Sequence, residues 1–110
     1  MKIGELGTAT GTKVETIRYY EKLGLLAAPG RTSGNYRAYG REHLQRLSFI
    51  RRARALGFSL EQVRELLDLV DDRSRSCGAV DELARRHLAT VDEKVEALGA
   101  LRHELGKLID

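Results

Sequence analysis

A heptad pattern between residues 80 and 109 constrains the fold more than any other feature of the sequence. Mostly apolar residues recur there every seven positions on two adjacent seams: Ala84, Val91, Leu98 and Leu105 on one, and Leu88, Val95, Arg102 and Ile109 on the other. These are the d and a positions of a coiled coil. In a chain of 110 residues such a helix cannot bury its whole stripe, so we expect a second copy to cover it.

The sequence therefore predicts a homodimer. Its interface residues are expected to be Leu88, Val91, Val95, Leu98, Leu105 and Ile109. Arg102, as the one polar residue on its seam, is a candidate for fixing register or orientation. The alternative is that the stripe folds back on the N-terminal part of the same chain.

Charge is divided unevenly along the chain. Residues 1–70 hold 12 Lys and Arg against 7 Asp and Glu, whereas residues 71–110 hold 7 against 9. The first part therefore has a formal charge of +5 and the second a charge of −2. This division favours a polyanion-binding part joined to an assembly helix.

No segment has the length and apolarity of a membrane span, and the N-terminus lacks the apolar core of a secretory leader. The single cysteine allows no internal disulfide, which agrees with a reducing compartment. We expect a cytoplasmic protein with no membrane partner.

Two short helical segments, separated by a glycine-containing turn, open the sequence and are typical of a helix-turn-helix. Gly11 ends the first segment, and Thr12 with Glu15 predicts a capping box that begins the second. Ile3, Leu6 and Ala9 recur at helical spacing in the first segment. In the second segment we expect Val14, Ile17 and either Tyr20 or Leu23 to face inward.

Adjacent tyrosines in the second segment cannot share one face of a helix. We expect Tyr20 to pack inward and Tyr19 to point outward beside Arg18. A guanidinium can fork onto a guanine edge or a phosphate, and a phenol hydroxyl can donate to a phosphate. Thr16 and Lys22 complete the predicted DNA-contacting set of this helix.

The segment from residue 25 to 40 contains the single proline and the turn sequence "SGNY". It predicts a small β-hairpin, or wing, with a basic and aromatic tip formed by Arg31, Tyr36, Arg37 and Tyr39. Arg31, Tyr36 and Arg37 are expected to clamp the DNA backbone.

Two further helices are predicted up to residue 70. Their expected inward stripes are Leu44, Leu47, Ile50, Ala53 and Leu56 in the first, and Leu60, Val63, Leu66, Leu67 and Val70 in the second. Arginines cover the rest of the first helix: Arg46, Arg51, Arg52 and Arg54. Ser59 with Gln62 predicts a capping box at the start of the second.

The predicted fold is mainly α. A winged helix-turn-helix DNA-binding domain spans 1–70, with the helix-turn-helix at 1–24, the wing at 25–40 and helices at 41–70. A connecting loop at 71–79 contains Cys77, and a long coiled-coil dimerisation helix spans 80–110. No catalytic constellation appears, and His43, His87 and His103 are expected on the surface.

Three stretches, "IGELGTATGTKVETIRYYEKLGLL", "RTSGNYRAY" and "HLQRLSFIRRARALGFSLEQVRELL", resemble the MerR family of bacterial transcription regulators. The resemblance implies a winged-helix DNA-binding domain followed by a long antiparallel coiled-coil dimerisation helix. It implies a homodimer on a palindromic operator between the promoter elements. It implies that the dimer bends and untwists this DNA so that RNA polymerase can use both elements. Arg18 and Tyr19 match recognition-helix contacts, Tyr36 and Arg37 match wing contacts, and Arg54 matches a position near the phosphates. The family places the protein in the bacterial cytoplasm, on the nucleoid.

Beyond residue 70 the sequence resembles the metal-responsive branch of that family. Cys77 matches the cysteine of sensors for zinc, cadmium, lead or mercury, whereas sensors of monovalent ions have serine there. A thiolate suits soft divalent ions. His87 and His103 are weaker candidate ligands.

Metal responders continue into a loop with more cysteines, and this sequence ends at Asp110. We therefore expect either a shortened metal responder or another effector. Two alternatives stay open: a redox or electrophile sensor that uses Cys77, and an architectural DNA-binding module without an effector.

Overall fold

The computed structural model describes residues 1–31, 37–71 and 77–109. The described residues form these elements in chain order: α1 (Ile3–Thr10), α2 (Val14–Lys22), β1 (Gly30–Arg31), β2 (Arg37–Ala38), α3 (Arg41–Ala55), α4 (Leu60–Asp71) and α5 (Cys77–Gly106). The chain divides into two compact units, Met1–Leu67 and Asp68–Asp110. The fold of the described residues is therefore mainly helical, as predicted.

Helix α1 is closed at both ends by local hydrogen bonds. The Lys2 N–H donates to the Glu5 carboxylate at 3.0 Å. The helix ends at Gly11, whose φ of 64° is a left-handed conformation that glycine adopts without strain. Its buried face includes Leu6 and Thr10, and the Thr10 hydroxyl donates to the Leu6 carbonyl at 2.8 Å. Ala9, which recurs at the same helical spacing, is exposed.

The turn between α1 and α2 depends on a close approach at Gly7. The Thr12 N–H donates to the Gly7 carbonyl at 2.9 Å, and a Cβ at Gly7 would lie 2.7 Å from the Thr12 oxygen. Helix α2 begins only after Lys13, which provides no side-chain cap. The predicted Thr12–Glu15 capping box is therefore wrong: Thr12 completes the end of α1, and its hydroxyl faces the Thr10 carbonyl at 3.4 Å.

The core of the first unit gathers residues from α1 to α4 and from the segments between them. Helix α1 packs against both α2 and α3. From α2, Ile17 and Tyr20 are buried while Val14 and Leu23 are half-buried. The buried apolar residues are Leu6, Ile17, Tyr20, Leu25, Leu26, Tyr39, Leu47, Ile50, Ala53, Phe58, Val63 and Leu67.

The two predicted stripes of α3 and α4 are buried in the middle of each helix and exposed at the far end. Leu56 is 47% exposed because it lies beyond the last residue of α3, and Val70 is 60% exposed in the last turn of α4. Both were expected inside. The capping box before α4 is confirmed, because the Ser59 N–H donates to Gln62 Oε1 at 2.8 Å and the Gln62 N–H donates to Ser59 Oγ at 3.1 Å.

Strands β1 and β2 pair antiparallel, with Gly30 opposite Ala38 and Arg31 opposite Arg37. Tyr36, expected at the wing tip, lies outside the described residues, as do the side chains of Arg31 and Arg37. Tyr39 was expected at the tip, but it is buried in the core with 2% of its surface exposed. The wing itself therefore stays a prediction.

Helix α5 is 30 residues long and begins at Cys77, inside the predicted loop, while α4 runs to Asp71. It ends at Gly106 rather than at residue 110. The apolar residues of its predicted seams are exposed: Leu88, Val91, Val95, Leu98, Leu105 and, after the helix, Ile109. Leu101 and Leu108, which the heptad pattern did not include, are exposed beside that seam.

Within the described ranges, no helix combines the length and apolarity that crossing a membrane requires.

We expect Gly7→Ala to lower the free energy of unfolding by about 1–3 kcal/mol, because the added methyl group would meet a backbone carbonyl. Gly4→Ala in the same helix has nothing within 4 Å of the new methyl group and should raise this free energy by up to about 1 kcal/mol. Urea unfolding followed by circular dichroism at one fixed protein concentration compares the two variants. Equal stability of both would contradict the close approach at Gly7.

Candidate DNA-binding surface

The outward face of α2 combines a guanidinium, a phenol and an ammonium group. Arg18, Tyr19 and Lys22 are exposed, and Thr16 lies half-buried at the flank. Tyr19 is 50% exposed and Tyr20 is 9% exposed, with their ring centroids 6.3 Å apart. The predicted division of the two tyrosines between the faces of α2 is confirmed.

Glu15 lies on this same outward face and is exposed. The sequence pattern assigned Glu15 to a capping box, so its place on the surface was missed. A carboxylate there repels phosphates but can accept a hydrogen bond from a cytosine amino group. The face therefore offers donors for phosphates and guanine, and one acceptor for a base edge.

Side chains from other parts of the unit hold the C-terminal end of α2. Arg64 Nη2 donates to the Leu23 carbonyl at 2.6 Å, and Arg46 Nε donates to the Leu25 carbonyl at 2.6 Å. The Leu23 carbonyl is at the C-cap, where carbonyls lack intrahelical partners and the helix dipole is negative, so an arginine is favourable there. The Leu25 carbonyl belongs to the segment that follows α2. Sequence reasoning missed both contacts, since they join residues far apart in the chain.

A third contact to α2 comes from Tyr39, whose hydroxyl donates to Glu21 Oε1 at 2.8 Å. The backbone of Tyr39 is also held: its N–H donates to the Met1 carbonyl at 2.8 Å, and the Met1 ammonium donates to the Tyr39 carbonyl at 2.7 Å. Tyr39 therefore links the end of β2 to the recognition helix and to the N-terminus.

Of the three histidines expected on the surface, His87 is buried, His43 is half-buried and His103 is exposed. His43 Nδ1 accepts the Gly40 N–H at 3.0 Å and so caps α3, while the His43 ring lies edge-on to Tyr39 at 5.2 Å. His43 Nε2 is buried without a hydrogen-bond partner among the described residues. His87 is only 6% exposed, whereas His103 is exposed as predicted.

The predicted phosphate contact Arg54 uses Nη1 to donate to the Phe58 carbonyl at 2.8 Å. This bond orients the guanidinium, which has five N–H donors in all. Arg51, on the same helix, lies against the helix-turn-helix turn, with its Nη2 3.1 Å from where a Cβ of Gly11 would be. The left-handed φ of Gly11 disfavours a larger residue at the turn whatever the position of this side chain.

Several predicted site residues lie outside what the structure describes. These are residue Tyr36 and the side chains of Arg31, Arg37 and Cys77. Among the side chains that the structure does describe, no three metal-ligating groups come together. The predicted wing contacts and the predicted metal ligand therefore stay predictions.

The sequence of this chain matches two models of one protein family. The model of the MerR helix-turn-helix family of regulatory proteins matches residues 1–69, and the model of the MerR DNA-binding region matches residues 44–108. A regulator of Haemophilus influenzae described as a ZntR homolog is 44% identical over 108 residues, which cover 98% of this chain and 80% of the relative. The chain belongs to the MerR family.

Two further comparisons agree. The transcriptional regulator HmrR of Sinorhizobium medicae is 44% identical, over 98% of this chain and 74% of that protein. A transcription regulator of Ralstonia metallidurans crystallised with lead(II) is 47% identical, with a TM-score of 0.66 over 98% of this chain and 84% of that one. This MerR-family chain is a DNA-binding transcription regulator, as its sequence resemblance implied.

Proposed function

We propose that this MerR-family regulator binds promoter DNA as a homodimer and bends and untwists it for RNA polymerase in response to a divalent heavy-metal ion. The observation that carries the DNA-binding part is the outward face of α2, where Arg18, Tyr19 and Lys22 stand opposite the buried Ile17 and Tyr20. A short helix with one face anchored and the other face basic fits the major groove.

The proposed DNA contacts fall into two groups. Arg18 and Tyr19 contact base edges or phosphates in the major groove, and Thr16 and Lys22 flank them on the same helix. The backbone contacts are proposed for Arg31, Tyr36 and Arg37 of the wing and for Arg54 of α3. The +5 charge of residues 1–70 supports this assignment, since phosphate neutralisation dominates affinity for DNA.

We expect Arg18→Ala to weaken operator binding by about 1–3 kcal/mol, because a forked contact to a base edge is lost. Arg85→Ala is the matched control, since Arg85 sits on α5 in an exposed ion pair with Asp81. Fluorescence anisotropy with operator and random duplexes at several salt concentrations measures both variants. A loss that is equal on the two duplexes would reduce Arg18 to a backbone contact, and a flat salt dependence would contradict the phosphate contacts.

The homodimer proposal rests on α5. Its seam residues are exposed from Leu88 to Leu105, including Leu98 at 57% and Val95 at 62%. Contiguous apolar surface of this kind marks an interaction site, and the heptad spacing matches a helical partner. In the proposed dimer two α5 helices pair antiparallel, so that the seam of one protomer covers the seam of its partner.

We expect Leu98→Glu to raise the dimer dissociation constant at least about a hundredfold, because burial of an unpaired carboxylate costs several kcal/mol. Ala97→Glu introduces the same residue one position away from the seam, where the side chain is exposed, and should leave the dimer intact. Sedimentation velocity over a concentration series measures both. A monomeric wild-type protein would overturn the dimer.

Metal response is supported by the descriptions of relatives. One relative in Rhizobium meliloti is described as a heavy metal-dependent transcription regulator, and the solved relative of Ralstonia metallidurans holds lead(II). In this chain α5 begins at Cys77, and a thiolate is a ligand for zinc, cadmium, lead or mercury. Cys77 is the one ligand that we assign, because it matches the cysteine of the divalent-metal sensors that this sequence resembles.

We expect transcription from the native promoter, reconstituted with RNA polymerase, to respond to one of the divalent ions and to lose that response in Cys77→Ser. Zinc, cadmium, lead, mercury and copper are titrated separately in the full chain, and hydrogen peroxide is tested without metal. An unaltered metal response in Cys77→Ser would contradict this ligand. A response to peroxide alone would replace the metal effector with thiol oxidation.

A further inference from the structure

We infer that Arg64 of α4 is a positioning residue for DNA recognition: with Arg46 and the Tyr39–Glu21 bond it fixes the tilt of α2. This inference deepens the proposed role of α2 and rests on it. Arg64 is not among the residues predicted to contact DNA, and the structure shows it donating to the Leu23 carbonyl at the end of the recognition helix.

The physical need for such a device follows from the size of α2. Helix α2 has nine residues, so it is about 13 Å long. Ile17 and Tyr20 are its two buried side chains, and they anchor one face near its middle. A tilt of roughly 10° would move one end by about 2 Å relative to the other, which exceeds the tolerance of a hydrogen bond to a base edge.

Three contacts oppose this tilt at the C-terminal end. They come from three directions in the chain: Tyr39 after β2, Arg46 on α3 and Arg64 on α4. The two arginine bonds measure 2.6 Å each and reach carbonyls that lie 21 and 41 residues away in sequence. Because the three come from different elements, together they restrain both the direction and the rotation of the helix end.

Truncation of the Arg64 side chain is the substitution that tests this restraint. Its contact with Leu23 lies at the exposed surface, so truncation leaves the apolar core intact. Tyr39, by contrast, is 2% exposed, and Arg46 is half-buried. The competing assignment is that Arg64 serves as one more phosphate contact, and the two assignments differ in what they do to random DNA.

The experiment compares full-length Arg64→Met and Arg64→Lys with wild type on two duplexes of equal length. One duplex is selected from a random pool by the wild-type protein, and the other is random sequence. We expect Arg64→Met to weaken binding of the selected duplex at least about fivefold, a typical size for coupling between linked elements. Binding of the random duplex and its salt slope should not change. Arg64→Lys should keep most of the affinity, since an ammonium group can also donate to a carbonyl.

Two outcomes on these duplexes would overturn the inference. If Arg64 touches phosphate, both duplexes weaken and the salt slope falls by about 0.9. If Arg64 only stabilises the fold, the melting temperature drops while affinity for the selected duplex stays at the wild-type value. Arg41→Met, which removes an exposed charge at the start of α3, controls for net charge. An equal loss in Arg41→Met would also overturn the positioning role.

A double-mutant cycle with Arg18→Ala tests whether Arg64 acts through α2. The combined variant should lose less affinity than the product of the two single losses, because a tilted helix no longer places Arg18 correctly. Strictly multiplicative losses would overturn the inference. No effect of Arg18→Ala on the selected duplex would instead refute the proposed DNA-binding role of α2, which separates the two failures.

Tyr39→Phe provides an independent variant, since it removes a hydroxyl and keeps the buried ring. It should reproduce the Arg64→Met pattern: weaker binding of the selected duplex, with random-duplex affinity unchanged. Wild-type affinity of Tyr39→Phe for the selected duplex would contradict the restraint at the end of α2.

Discussion

The central constraint on this molecule is that its recognition helix is too short to be stable alone. A helix of nine residues falls below the roughly 12–15 residues at which isolated helices become even marginal in water. Its existence and its direction are therefore properties of the surrounding unit. Ile17 and Tyr20 supply the apolar anchor, and Arg46 and Arg64 satisfy carbonyls at and beyond its end. These contacts therefore determine where the DNA-facing side chains lie.

Local patterns predicted what local physics controls. Tyr19 and Tyr20 divide between two faces because helical geometry allows nothing else, and Ser59 with Gln62 caps α4 through bonds within four residues. The same kind of rule failed at Thr12, where the approach of Thr12 to Gly7 at the end of α1 competes with a cap on α2 and wins. A capping motif considers the residues of one helix only, so it does not predict competition from a contact with the preceding helix.

Contacts across the unit lay beyond the reach of sequence patterns. Nothing in the spacing of Arg46, Arg64 or Tyr39 indicates that each contacts α2, because the distances that matter are set by how α3, α4 and the strand pair pack. Helix α5 is the opposite case. Its heptad pattern identified the apolar residues of the seam without any tertiary information. Leu101 and Leu108 are further exposed apolar residues outside that pattern.

The positively charged side chains of residues 1–70 have two roles, attraction of a polyanion and hydrogen bonding to the main chain. The excess of cations in residues 1–70 indicates a polyanion partner, because the field of a charged surface acts at a distance and does not depend on what each guanidinium bonds. Arg46, Arg54 and Arg64 nevertheless donate to main-chain carbonyls, and so help to shape the unit. Arg46 and Arg64 can attract DNA without contacting it, whereas Arg54 has further N–H donors for the backbone contact proposed for it. Counting cations therefore predicts the class of partner, while the hydrogen-bond partners of each arginine show which of them are committed to the scaffold.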